Sequence, residues 1–212
     1  MPCRLYLISP PVIDLAAFIP RVKEAFNGGD IASFQLRLKG ADDADILKAA
    51  EALLPICRDH GAAFIMNDRP DLAVKAGADG VHIGQDDGSL KAARAIVGDG
   101  MVIGVSCHDS RHLAMIAGEQ GADYMAFGAF YPTTSKNPES LKRWGTPTPD
   151  ILTWWQEYMV LPCVAIGGIN PQNCAGLAKA GADFVAVITA VWNHPEGPGK
   201  AVEEFNVILG GT

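Results

Sequence analysis

Short apolar runs alternate along the chain with longer stretches whose apolar residues recur every three or four positions, the pattern of buried strands separated by amphipathic helices. A strand is predicted at 5–8, followed by a helix with Leu15, Phe18, Ile19, Val22 and Phe26 on one face that Gly28 and Gly29 stop. The next apolar segment, 33–38, leads through the turn Gly40-Ala41-Asp42 into a helix carrying Ile46, Leu47, Ala50, Leu53, Leu54 and Cys57, bent at Pro55. Strands at 64–66 and 81–83 flank a helical stretch. A helix near 90–96, a strand 101–105 ending in Ser106, a helix 111–118 and a strand 124–127 follow. Beyond a segment of another kind, the pattern resumes with helix 151–158, strand 163–166, helix 172–180, strand 184–188 and a last helix aligning Val202, Phe205 and Leu209.

That makes about eight strand-helix alternations, the count of a (β/α)8 TIM barrel. An internal echo supports the reading: Ala76-Gly77-Ala78-Asp79, Gln120-Gly121-Ala122-Asp123 and Ala180-Gly181-Ala182-Asp183 each precede a short strand. A glycine there suits a left-handed helix stop, so each echo is one helix-to-strand joint. The strands are apolar runs rather than alternating ones, which implies a sheet covered outside and filled within. An open doubly wound sheet would want a glycine-rich first turn, and Ile8-Ser9-Pro10-Pro11 offers none. The odd segment, 129–150, holds four prolines and little periodicity, and so long a connection in a compact domain usually has a function of its own.

Composition narrows the class. With 212 residues, 49% hydrophobic and 19% charged, the chain suits a single globular domain, 1–212. The amino terminus lacks the pattern of a secretory signal and no run approaches a bilayer span, so a cytoplasmic location with no membrane association is expected. The five cysteines contain no C-x-x-C and read as small buried hydrophobes. A net charge of -7 argues against nucleic acid, yet leaves room for an anionic small ligand held by local cations. The assembly state, a homo-oligomer included, is left open.

Chemistry gathers at the predicted strand ends. Asp68 and Asp87 each follow a short run, 64–66 and 81–83, that reads as one of two neighbouring parallel strands, so both carboxylates crown the same sheet edge. Two acids there suit a hard cation, against the plainer readings of a helix N-cap before Pro70 and a loop carboxylate. Gln35, Arg37 and Lys39 alternate onto one side, where the latter two either hold an anion or merely solvate the mouth. Gln35 favours the functional reading, being otherwise a polar side chain in a packed segment. Ser106 ends a strand, where it caps a helix or touches a ligand, and His82 reads as a satisfied core histidine. Gly167-Gly168-Ile169-Asn170 after strand seven and Ile188-Thr189-Ala190 after strand eight mark the usual phosphate site of this fold.

The motifs 35–39, Asn67-Asp68-Arg69, 80–87, Gly104-Val105-Ser106, Thr133-Thr134-Ser135-Lys136, Gly167-Gly168-Ile169 and Ile188-Thr189-Ala190, taken together and in order, resemble those of thiamine phosphate synthases over nearly the whole chain. The resemblance implies a TIM-barrel transferase that joins 4-amino-2-methyl-5-hydroxymethylpyrimidine diphosphate to a thiazole phosphate with Mg²⁺, releasing pyrophosphate. Carried over by motif, Gln35, Arg37, Lys39, Asn67, Ser106 and Lys136 would hold the pyrimidine diphosphate. Asp68 and Asp87 would bind magnesium, and Thr133, Thr134, Ser135, Gly168, Ile188 and Thr189 the thiazole phosphate. Arg37, Lys39, Ser106 and Lys136 would bear on the reacting diphosphate. Two acids with a cation and three basic groups are also what a departing diphosphate requires on physical grounds.

Three positions depart from the family pattern: Leu38 stands for a glutamate, Ser135 for a threonine and Thr189 for a serine. The last two keep the hydroxyl, and the Leu38 side chain is expected to point away from the site. A related thiazole tautomerase carries a histidine base after strand six, where this chain has Ala129. A barrel that only binds a phosphorylated metabolite would not need the acid pair.

Overall fold

The computed structural model describes residues 2–133 and 143–211. Eight parallel strands close into a barrel in sequence order: β1 (Arg4–Ile8), β2 (Ser33–Leu36), β3 (Ala63–Asn67), β4 (Gly80–Ile83), β5 (Val102–His108), β6 (Tyr124–Gly128), β7 (Cys163–Ile166) and β8 (Phe184–Val187), with β8 pairing β1. The helices wrap the outside: α1 (Leu15–Asn27), α2 (Asp43–Asp59), α3 (Pro70–Ala76), α4 (Leu90–Val97), α5 (Arg111–Glu119), α6 (Asp150–Tyr158), α7 (Cys174–Lys179), α8 (Thr189–Trp192) and α9 (Pro198–Leu209). The fold is a (β/α)8 TIM barrel, as the alternation predicts. Among the described residues, no helix is long and apolar enough to cross a membrane.

Two apolar layers follow from the period-2 geometry of the strands. Leu5 and Leu7 of β1 face outward into the large core beneath the helices, whereas Tyr6 and Ile8 face inward. Ile65, Tyr124, Ala126, Val164 and Ala186 join them inside the barrel. All five cysteines are free and buried. Helix starts are capped where short polar residues allow: Asp14, Asp42, Ser89 and Ser110 each accept a backbone N–H from the first turn of α1, α2, α4 and α5.

The Gly-Ala-Asp echo is a single device used three times. Gly77, Gly121 and Gly181 sit at φ 66°, 90° and 108°, where a side chain would be strained. The next residue then donates back across the helix end, Ala78 N to Ala73 O at 3.0 Å, Ala122 N to Ala117 O at 3.0 Å and Ala182 N to Leu177 O at 3.1 Å. The aspartate completes the joint by accepting an N–H from the first or second residue of the strand before: Phe64 to Asp79, Ile103 to Asp123 and Cys163 to Asp183, at 2.7, 2.7 and 2.8 Å. Each joint thus stops a helix and ties it to the start of the preceding strand.

Some predicted boundaries move. β2 ends at Leu36 rather than at 38, because Pro10 and Pro11 beyond β1 have no N–H to continue a ladder. The chain stays extended there by other bonds, Arg37 N to Ser9 Oγ at 2.8 Å and Lys39 N to Pro11 O at 2.9 Å. β5 runs on to His108 through an irregularity in its register with β6, so Ser106 lies within the strand and not at its end. Helix α2 continues through Pro55 to Asp59, and the short helix α8 has no counterpart in the predicted pattern.

Candidate active site

The carboxyl ends of the strands open on a cavity of about 500 Å³, within the range of small-molecule sites. Gln35, Arg37, Lys39, Asn67, Asp68, Asp87, Ser106, Thr133, Gly168, Ile188 and Thr189 all line it, so the fold brings together the described candidates from seven strand ends. Thr134, Ser135 and Lys136 lie outside the described residues. Leu38 packs against the outer core, away from the cavity.

Two carboxylates meet at the ends of β3 and β4. Asp68 N donates to His82 O at 2.8 Å, which carries the β3–β4 pairing one step past the strand and aims the residue at the cavity. The cap reading fails for Asp68, since α3 has Arg69 at its N-cap position and no side-chain cap bond. Burial first, and then the charge of Asp87, push the Asp68 carboxyl up from 3.8 to about 6. Lys39 and the Asn67 amide, which donates to Asp68 Oδ2, oppose that rise. Arg37 faces both acids, and burial lowers its pKa while the two carboxylates raise it, leaving a guanidinium that stays charged.

Asp68 and Asp87 present a donor set to the cavity. It is oxygen-only, two carboxylates whose mutual repulsion a divalent ion would relieve. Among the described residues no group of three or more His, Cys, Asp or Glu could hold a metal. Mg²⁺ suits such a pair, because it commonly takes one or two carboxylates and fills its remaining positions with water and phosphate oxygens.

Across the cavity lie Gly167, Gly168, Ile169, Ile188 and Thr189. Gly168 has φ 65°, and a Cβ there would stand 2.5 Å from Pro132 O and 2.8 Å from Tyr131 Cβ, so only glycine fits. Asn173 braces this turn, donating Nδ2–H to Gly168 O at 3.1 Å and accepting from Asn170 N at 2.9 Å. Ile188 is the N-cap residue of α8, which gives the extra short helix that phosphate sites of this fold use.

Sequence reasoning missed several cavity residues. His108 is one of them: with φ 56° it shares positive φ, among the described non-glycine residues, with the predicted Asp68 at 62°, and both line the cavity. His108 stacks on Trp144 at 4.6 Å, Arg143 also lies over the Trp144 ring at 4.5 Å, and Arg143 pairs with Asp86 at 3.2 Å. Tyr6 and Tyr124 also reach the cavity from inside the barrel. Their inward position in an apolar run was the available signal, since a buried tyrosine hydroxyl needs a partner. Ser106 caps nothing, the α5 cap being Ser110. Its Oγ instead meets His82 Nε2 at 2.9 Å, which with Tyr124 satisfies both ring nitrogens of His82 as the sequence reading expects.

The family model described as "Thiamine monophosphate synthase" matches residues 5–191. The chain is 56% identical to the thiamine-phosphate synthase of Rhodospirillum centenum over 99% of each chain. It is 48% identical to that of Hyphomonas neptunium, over 97% of this chain and 93% of the relative. In structure it superposes on a thiamine phosphate pyrophosphorylase from Pyrococcus furiosus with a TM-score of 0.84 at 31% identity, covering 98% and 96% of the two chains.

Proposed function

The chain belongs to the thiamine monophosphate synthase family, and on that premise we propose how its cavity does the work of a thiamine-phosphate synthase, a transferase. It takes 4-amino-2-methyl-5-hydroxymethylpyrimidine diphosphate at the β2–β5 side and a thiazole phosphate at the β7–β8 side, and gives thiamine phosphate and pyrophosphate. The observation that carries this division is the convergence on one cavity of Arg37, Lys39, Asp68 and Asp87 opposite a backbone turn at Gly168 that only glycine can make.

The bond between the pyrimidine methylene carbon and the diphosphate oxygen breaks, and its electron pair leaves with the pyrophosphate. The thiazole nitrogen then gives its lone pair to that carbon and becomes the thiazolium of the product. No proton is removed, so no general base is required. Arg37 and Lys39 neutralise charge growing on the leaving diphosphate, and Gln35, Asn67 and Ser106 hold the pyrimidine end. Asp68 and Asp87 would hold a Mg²⁺ ion, which would supply positive charge to the leaving diphosphate. Thr133, Gly168, Ile188 and Thr189 fix the thiazole phosphate so that its nitrogen faces the methylene carbon, and this alignment supplies much of the rate. Thr134, Ser135 and Lys136 are assigned to the same two ligands by their motif.

The purified protein, given both substrates and Mg²⁺, is expected to form thiamine phosphate and pyrophosphate one to one, and none after chelation of divalent metal. Rearrangement of a thiazole tautomer without coupling would place the activity with the tautomerases instead. Retention of the substrates unchanged would leave only a phosphometabolite-binding barrel.

A further inference from the structure

Inside the barrel a chain of side-chain hydrogen bonds joins two residues that line the cavity. Gln35 Nε2 lies 3.0 Å from Tyr6 Oη, Tyr6 Oη 2.9 Å from Tyr124 Oη, Tyr124 Oη 3.0 Å from His82 Nδ1, and His82 Nε2 2.9 Å from Ser106 Oγ. Gly104 makes the arrangement possible, since a Cβ there would lie 1.9 Å from Tyr124 Cζ.

The polarity of this chain follows from its chemistry. An amide nitrogen only donates, so Gln35 gives its N–H to the Tyr6 oxygen. Tyr6 is 4% exposed, and its own proton needs an acceptor, which Tyr124 Oη provides. Tyr124 then donates to His82 Nδ1, which makes Nε2 the protonated nitrogen of the neutral ring, and that N–H goes to Ser106 Oγ. At one end the Ser106 hydroxyl hydrogen is left for the cavity. At the other, Gln35 Oε1 meets no donor among the described residues, and no fully buried side-chain N or O among them lacks a partner, so this oxygen also faces the cavity.

We propose that Tyr6, Tyr124 and His82 are positioning residues that fix one acceptor, Gln35 Oε1, and one donor, Ser106 Oγ–H, and thereby select a heterocycle with an exocyclic N–H beside a ring nitrogen lone pair. This inference rests on the synthase reading for its substrate, the 4-aminopyrimidine. The corresponding 4-oxo ring would set a carbonyl against Gln35 Oε1 and an N–H where the lone pair belongs. Because the chain holds the amide and hydroxyl in place, the mismatch cannot be relieved by turning either group over.

Nitrogen-15 NMR of the ligand-free protein reads the polarity directly: His82 is expected as the Nε2–H tautomer, and Tyr124→Phe is expected to give a mixture of tautomers. Binding titrations with the pyrimidine diphosphate and its 4-oxo analogue read the consequence. The parent should prefer the amino form by at least about tenfold, and Tyr124→Phe and Tyr6→Phe should each lose most of that preference with binding of the thiazole phosphate unchanged. An Nδ1–H tautomer in the parent, or an undiminished preference in folded Tyr124→Phe, overturns the inference. Failure of the parent to make thiamine phosphate would instead overturn the synthase reading, while the tautomer and the binding ratio still decide the role of the chain.

Discussion

Burial and the neighbouring Asp87 hold the Asp68 carboxyl at about 6, above its ordinary 3.8, so folding favours the protonated form. The stability this gives is complete below about pH 4 and is lost as pH rises through about 6. Asp68→Asn removes that dependence. Relative to the parent in chelator, the variant should therefore gain about 1 kcal/mol between pH 4 and pH 8, after allowing for solvent screening of a half-buried group, or roughly 2–4 °C in melting temperature. A difference that stays flat with pH would mean that neither burial nor Asp87 raises the Asp68 carboxyl in the folded protein. Activity of the same variant should fall by orders of magnitude, with a raised magnesium requirement. At the two anion sites the effects should separate. Gly168→Val obstructs the turn against Pro132 and should weaken thiazole phosphate roughly ten- to hundredfold with little change in pyrimidine diphosphate binding. Arg37→Ala should do the reverse, and titrations showing equal weakening of both ligands by either change would argue against distinct sites.

The unit that repeats at the scale of elements is the Gly-Ala-Asp joint, in which the aspartate holds an N–H at the start of the strand before. At Asp123 the same carboxylate also accepts from Arg94 at 2.7 Å, so its loss leaves the Ile103 N–H without its acceptor and takes the carboxylate from a guanidinium that keeps only the carbonyls of Gly98, Met101 and Gly121. Asp123→Ala is expected to lower stability by about 2 kcal/mol, or roughly 4–8 °C. Asp123→Asn, which keeps an acceptor oxygen, should lose less than half of that. Turnover per folded molecule should hold in both, since the joint lies at the end of the barrel away from the cavity. Thermal melts in which the two variants are equally and slightly affected would show that the joint adds little to the fold.

For the whole molecule, ligands that bind the folded state alone raise the melting temperature by mass action. If Asp68 and Asp87 hold Mg²⁺ as proposed, positions remain for phosphate oxygens, so Mg²⁺ and pyrophosphate together should raise it by more than the sum of each alone, and additive shifts would count against a shared site. The sequence by itself determined the barrel and most of its contents. Apolar runs alternating with helical periods leave few other ways to bury both faces of a parallel sheet, and a residue just past a strand must lie at one end of it. Asp68, Asp87, Gly168 and Thr189 were legible for that reason. Only the tertiary structure decided which inward side chains touch across the barrel. Tyr6, His82 and Tyr124 come from strands far apart in sequence, and the room for the Tyr124 ring depends on Gly104 of the neighbouring strand. It also decided that Ser106 bonds His82 rather than capping a helix, because an irregularity between β5 and β6 carries the strand two residues further. Local periodicity sets which way a side chain points, whereas hydrogen-bond partners depend on the closure of all eight strands.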